Sequence, residues 1–197
     1  MRRSPARSAA MLPRVTGTAD TRLIVLRGNS GSGKSSTARE LRAKLGRRTA
    51  WIEQDQIRRV LLWEQDRPAA ANIELIGLNA RYALDHGYDV IVEGIMDSGR
   101  YGEMLRKLTA DHLGLTRHYY FDIPFEETLV RHATRELAAV VGADAMRSWY
   151  QSRDLMTGVD EEIIDQASTL AQTVARILAD IGWKPGDTRE LTSHAVS

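Results

Sequence analysis

Leu23-Ile24-Val25-Leu26-Arg27-Gly28-Asn29-Ser30-Gly31-Ser32-Gly33-Lys34-Ser35 is the stretch whose reading decides the fold. Four consecutive aliphatic residues predict a buried strand, and Gly28 with Gly33-Lys34-Ser35 fits the pattern G-x-x-x-x-G-K-[ST] without a mismatch. Strand, glycine-rich turn and helix in that order make a phosphate-binding loop. A polyphosphate is best surrounded by backbone N–H groups turned inward, with a helix N-terminus behind them. Glycines at 28, 31 and 33 permit that turn, since they lack a Cβ and tolerate positive φ. Asn29, Ser30, Ser32 and Ser36 complete the cradle. Lys34 is placed to reach the β- and γ-phosphates, and the Ser35 hydroxyl to hold Mg²⁺.

Working outward, 197 residues suit one domain with a substantial core, and 43% hydrophobic residues with mixed charge signs predict a globular chain. The absence of cysteine excludes disulfides, thiolate metal sites and a cysteine nucleophile. No apolar run reaches 18 residues and the N-terminus lacks an apolar signal core, so neither a membrane span nor secretion is expected, and the cytoplasm is the default setting. Residues 1–22 carry Arg2, Arg3, Arg7, Arg14 and Arg22 against Asp20, a surplus of +4 in a chain of net charge +1. The body is therefore at −3, which counts against a broad nucleic-acid surface while leaving a local groove open. Residues 1–21 are expected to be a disordered basic arm, and 183–197 a polar tail.

Between them, strands alternate with helices. A helix from Lys34 to Leu45 presents Ala38, Leu41 and Leu45 on one face and stops at Gly46. Thr49 to Gln54 predicts a second strand with Ala50 and Ile52 inward, leaving Asp55 at its carboxyl end, where open parallel sheets bind ligands. Gln56 to Trp63 reads as helix, then a break at Pro68, then a helix from Ala70 to His86. Asp89 to Glu93 repeats the pattern of an apolar strand ending in an acid. A helix carrying Met104, Leu105 and Leu108 follows, then a strand from His118 to Phe121, and a helix after Pro124. Glu161 to Ile164 predicts a fifth strand, and Thr169 with Gln172 a capping box opening the last helix. This rhythm predicts an α/β, three-layer P-loop NTPase fold: a five-stranded parallel sheet with helices on both faces and an arginine-bearing helical lid over about 131–153.

The phosphate loop Gly28–Ser35, Asp55 followed by Arg58 and Arg59, and Arg131-His132-Ala133-Thr134-Arg135 after the fourth strand give the chain a resemblance. It resembles the small P-loop kinases of the zeta-toxin and chloramphenicol phosphotransferase type, over about residues 22–181, within a kinase domain expected over 22–182. The resemblance implies ATP and Mg²⁺ as cofactors, a small-molecule hydroxyl as acceptor and arginines that close over the phosphates. It implies reaction type more firmly than acceptor, an antibiotic or another metabolite being candidates.

The resemblance selects Asp55 as the base for the acceptor's proton, with helix capping as the alternative use. Glu93 ends a Walker B-like strand; it is open to Mg²⁺ binding, directly or through water, to substrate contact, or to a hydrogen bond with loop backbone. Arg131 and Arg135, four apart, share a helix side and can converge on a triphosphate, or pair with Glu127 or Glu136. Arg135 is the lid arginine placed among the catalytic residues, beside Lys34 and Asp55. Arg58 and Arg59 are placed to orient the acceptor, Arg147 and Arg153 are further lid candidates, and Trp149 and Tyr150 are candidates for stacking or lid packing. The histidines show no metal-ligand spacing. Rival readings are a nucleoside or polynucleotide 5′-hydroxyl kinase, a zeta-toxin-like nucleotide-sugar kinase, and a nucleotide-dependent switch. No N-K-x-D base-reading motif occurs to support a GTP switch.

Overall fold

The structure, a computed structural model, describes residues 15–133 and 143–186. Its elements run β1 (Arg22–Gly28), α1 (Lys34–Leu45), β2 (Thr49–Glu53), a π-type helical segment (Gln56–Leu61), α2 (Ala71–Asp85), β3 (Asp89–Gly94), α3 (Ser98–Asp111), β4 (Leu115–Asp122), α4 (Phe125–Ala133), α5 (Ala143–Trp149), β5 (Glu161–Asp165) and α6 (Leu170–Asp180). The strands form one parallel five-stranded sheet in the order β2-β3-β1-β4-β5. The expected fold class is met.

Period two in β1 divides the core. Leu23 and Val25 enter the cluster under α2 and α3, with Val90, Val92, Ile76, Leu84 and Leu105. Ile24 and Leu26 enter the opposite one under α1 and α6, with Ile91, Leu41, Phe121, Val174 and Ile177. A strand covered on both faces needs an unbroken apolar run, which is what residues 23–26 supply.

The helix ends are set by local signals. Gly46 at φ 85 ends α1, Gly87 at φ 74 follows α2, and the Thr169–Gln172 capping box opens α6. The expected helix over Gln56–Trp63 is instead a π-type segment ending at Leu61, with the Leu62 N–H donating to Ile57 O at 2.9 Å. Val60 and Leu61 at its end, and Leu62 and Trp63 just beyond it, are exposed. β4 begins three residues before the expected His118, because Leu115 to Arg117 pair with the start of β1.

The expected arm is shorter on its carboxyl side. Thr16 and Thr21 are buried: the Thr16 hydroxyl donates to Asp85 at 2.6 Å, and Thr21 Oγ1 lies 2.9 Å from His112 Nε2. Residues 1–14 lie outside those described, as do 187–197 of the expected tail.

Candidate active site

β1 delivers the phosphate loop at the centre of the carboxyl edge. Gly28, at φ 139, stands opposite Phe121 in the β1–β4 register, and a Cβ there would meet Phe121 O at 2.6 Å. Gly31, at φ 77, is pressed against α4; its Cβ would lie 2.6 Å from Thr128 O. Gly33, also left-handed, caps α1. The buried Lys34 ammonium spans the loop, donating to Asn29 O at 2.7 Å and to Ser32 Oγ at 3.2 Å. Ser30, Ser35 and Ser36 occupy the turn and first helical turn as expected.

A wall of carboxylates faces the loop. Glu93 on β3 sits between Leu26 of β1 and Glu53 of β2 in register, so Glu53 and Glu93 share a sheet face. Glu93 is 2% exposed. Burial pushes its carboxyl above the ordinary range; the Lys34 ammonium and a hydrogen bond with Ser35 oppose the rise, while Glu53 and Asp55 add to it. Glu53 is likewise pushed up, by burial first and then by Asp55, against Arg39 and Lys34. Glu93 Oε1 is buried without a hydrogen-bond partner. An orphaned carboxylate oxygen beside the Ser35 hydroxyl fits Mg²⁺, whose shell phosphate oxygens and waters would complete. Among the described residues no group of three or more His, Asp or Glu side chains is arranged to hold a metal alone.

Asp55 stands two residues after the end of β2 and is half-exposed. Arg58 Nη2 and Arg59 Nε both address its Oδ1, at 2.9 and 3.0 Å. The two guanidiniums placed by sequence on the acceptor are thus engaged with the candidate base, both through its Oδ1. Asp55 makes no capping bond with the helical segment it precedes, which removes the capping alternative. Arg59 also lies 6.0 Å from the ring of Trp149, linking the base to α5.

On the other side, Arg131 reaches the loop. Its Nη1 donates to Ser32 O at 3.2 Å and its Nε to Glu127 at 2.7 Å, so the ion pair with Glu127 and the contact with the phosphate loop coexist. Arg135 lies outside the described residues. Arg147 is turned away, stacked 4.2 Å from the centre of the Phe125 ring, and Tyr150 packs edge-on against the same ring and donates to Ile123 O. Neither is positioned as a phosphate ligand. A cavity of about 480 Å³ extends from Ser32, Gly33 and Thr37 past Arg131 to Asp165 at the end of β5 and Ser168 of the β5–α6 loop. A larger one of about 600 Å³ lies between α2 and α3 and touches none of the candidate residues.

The histidines are structural where described. His112 is held between Thr21 and Thr116, and His118 bonds Thr109 at 2.8 Å. Sequence reasoning overlooked Glu53, although its place two residues before Asp55 at a strand end was a signal. It also overlooked the β5–α6 loop, which parallel topology alone brings to this edge, and the buried Arg27, which carries no local signal of its partners.

With the loop, the acidic wall and the arginine of α4 in place, the comparison with known proteins is direct. The profile of the AAA domain family matches residues 23–156. The chain belongs to the AAA domain family. No curated protein matches it. Among solved structures, this AAA domain is similar to a sugar kinase from Janibacter sp. at 18% identity, covering 86% of this chain and 99% of that one, with a TM-score of 0.64. It is similar to the APS kinase of Mycobacterium tuberculosis in complex with AMPPNP and APS, at 19% identity, 85% and 99% coverage and a TM-score of 0.65. It is also similar to a tunicamycin resistance protein of Deinococcus radiodurans, at 19% identity, 83% and 98% coverage and a TM-score of 0.56. The fold of this AAA domain is that of the small P-loop kinases, and no helix among its described residues is long and apolar enough to cross a membrane.

Proposed function

We propose that the chain is a kinase that moves the γ-phosphoryl group of ATP to a hydroxyl of a small molecule. The observation that carries this reading is the convergence at one sheet edge of Lys34, Arg131 and the Ser35–Glu93 pair around the phosphate loop, with Asp55 close enough to raise both neighbouring glutamates. Phosphoryl transfer depends mainly on positioning and charge stabilisation, and this arrangement supplies both.

In the proposed reaction the nucleoside fills the cavity beside the β5–α6 loop and its phosphates lie along the loop amides. Asp55 Oδ2 accepts the acceptor's hydroxyl proton as its oxygen bonds to the γ-phosphorus, while the bond to the β-phosphate oxygen breaks. Lys34 and Arg131 hold the negative charge of the transferring group, with Arg135 as a second lid arginine. Bound Mg²⁺, held by Ser35 and Glu93, would supply charge neutralisation between the β- and γ-phosphates. Such a reaction belongs in the cytoplasm, where ATP and Mg²⁺ are plentiful. Acceptors range over sugars, nucleotide precursors and antibiotics; the likeness to a tunicamycin resistance protein keeps an antibiotic among those to test.

The test is incubation with ATP, Mg²⁺ and a metabolite library, read by mass spectrometry as a gain of one phosphate that Asp55→Asn abolishes. Steady ATP hydrolysis indifferent to every hydroxyl compound would overturn the reading in favour of a nucleotide-driven switch.

A further inference from the structure

The segment that follows α5 runs between the phosphate loop and the loop joining β3 to α3; Gln151 touches both, and Asp154 ties Arg27, just before the phosphate loop, to Ser98 at the start of α3. Gln151 makes its contacts with separate parts of itself. Its main-chain N–H donates to Asn29 Oδ1 at 2.9 Å, and its carbonyl accepts from Asn29 Nδ2 at 2.6 Å, a reciprocal pair on the second residue of the phosphate loop. Its side-chain Nε2 donates to Asp97 Oδ2 at 2.5 Å, on the other loop. Asp97 in turn caps α3 by accepting the Arg100 N–H.

Asp154 repeats the arrangement three residues later. Oδ2 accepts from Arg27 Nη2 and from the Ser98 N–H, both at 2.8 Å, and Oδ1 accepts from the Ser98 hydroxyl. Its own N–H donates to the Tyr120 hydroxyl at 2.9 Å. Arg27, one residue before the phosphate loop, is fully buried. It is held besides by both oxygens of Glu161 at 2.8 and 2.9 Å and by Met96 O at 2.8 Å. A buried, fully engaged guanidinium has one geometry, so the side chains tied to it inherit that geometry.

Backbone strain falls at the same place. Met96 and Arg153 are left-handed at φ 41 and 51, an unfavourable state for residues with a Cβ that persists where surrounding contacts over-determine it. Each adjoins a residue of the network, Asp97 in one case and Asp154 in the other.

We propose that residues 151–154 form a strap that fixes the phosphate loop, on the donor side, relative to the β3–α3 loop, which walls the acceptor side, with Gln151 and Asp154 as its positioning residues. This rests on the kinase reading above. Nucleotide bound to the phosphate loop is communicated through Asn29 and Gln151 to Asp97, so the acceptor wall is ordered when the donor is in place. The strap touches no reacting atom; it sets the spacing across which transfer occurs.

The experiment uses the full chain and Mg·AMPPNP, with amide hydrogen exchange as readout, so it needs no acceptor. In the unaltered protein, Mg·AMPPNP slows exchange in residues 29–35 and also in 95–98. Gln151→Ala keeps the main-chain clamp on Asn29 and deletes only the tie to Asp97. It is expected to bind Mg·AMPPNP with unchanged affinity by calorimetry and keep protection at 29–35. It is expected to lose about two- to tenfold of the protection at 95–98, the factor carried by one hydrogen bond of ordinary net strength. Q151E, which sets a carboxylate against Asp97, loses at least as much. Combining Q151E with D97N exchanges donor and acceptor while keeping the α3 cap, since asparagine caps as well as aspartate, and restores it. Protection at 95–98 that never appears in the unaltered protein, that survives Gln151→Ala, or that the exchanged pair fails to restore would overturn the strap while leaving nucleotide binding intact. Failure of the unaltered protein to bind Mg·AMPPNP would instead overturn the kinase reading, and the strap with it.

Discussion

Replacing Glu93 with glutamine is expected to move stability in opposite directions without and with nucleotide. The carboxylate is 2% exposed, its Oε1 has no partner, and Glu53 stands across from it in register. Leaving a buried acceptor unpaired costs about 1–3 kcal/mol, more when it is charged. The isosteric amide removes the charge and offers an N–H₂ group to the Ser35 hydroxyl and the Glu53 carboxylate; loss of the counter-charge for Lys34 offsets part of the gain. The net expectation is a rise of about 1 kcal/mol, or about 2–4 °C in Tm for a chain of this size. The sign follows from linkage: the folded state raises the carboxyl's pKa, so the folded protein holds the proton more tightly and the site becomes destabilising as pH climbs past the unfolded value. The gain from glutamine therefore grows toward alkaline pH and vanishes in acid. With Mg·ATP at 100 times its Kd, binding stabilises the unaltered protein by about 2.7 kcal/mol; a hundredfold loss of affinity leaves about 0.4 kcal/mol. Differential scanning fluorimetry at pH 5 and 8, with and without Mg·ATP, measures both effects. A lower Tm at pH 8 without ligand, together with an undiminished Mg·ATP shift, would refute the placement of Glu93 as a buried, unpartnered metal ligand.

Asp55→Asn is expected to lower the transfer rate about 10²- to 10⁴-fold while the Kd for ATP stays within about twofold, as loss of a general base implies; undiminished single-turnover transfer would remove Asp55 from that role. His118 is buried against Thr109, whose one hydroxyl hydrogen goes to Leu105 O, so Nε2 is the donor and Nδ1 is left without a partner. Burial, with Arg27 nearby, pushes its pKa down to about 4, so its contribution is complete above the unfolded value near 6.5 and is lost as pH falls toward 4, about 3 kcal/mol in all. Denaturant titrations from pH 7.5 to 4 should show His118→Gln flattening that part of the profile, and a parallel profile would refute it. Gly31→Ala forces a Cβ to 2.6 Å from Thr128 O at φ 77, and should lower Tm by about 2–8 °C and weaken ATP binding, measured by melting and calorimetry.

Legibility in the sequence tracked how local the signal was. Leu23–Ser35, the apolar strand ending in Glu93, Pro124 before α4 and the Thr169–Gln172 box each state their structure within a few residues, and the structure follows them. The π-type segment is a different case: Val60-Leu61-Leu62-Trp63 has the composition of a buried helix, yet the helical turn stops at Leu61 and all four side chains face solvent. The sequence predicts too late a start for β4 because Thr116 and Arg117 owe their strand state to pairing with Leu23 and Ile24, not to their own preference. Within the candidate site, the positions of Lys34, Ser35, Asp55 and Glu93 at the phosphate loop and the strand ends were legible from motif and strand pattern. Arg58 and Arg59 could not be assigned from sequence, because whether a guanidinium meets a neighbouring carboxylate or a ligand is settled by side-chain geometry. Arg27 lies 127 and 134 positions from Asp154 and Glu161, and no local pattern records a pairing at that range.

The two-sided burial of β1 bears on which sequence changes this chain tolerates. Its odd and even positions belong to separate cores, and Arg27 and Gly28 continue the same alternation into the ion network and the phosphate loop. Substitution of one aliphatic residue by another of similar volume leaves that phase untouched. Insertion or deletion of a single residue between Leu23 and Arg27 reverses it, sending each side chain to the wrong layer and aiming the guanidinium at α1 in place of Glu161. Changes in length are therefore expected to be tolerated in segments such as 62–70, between elements, and not from Leu23 to Ser35.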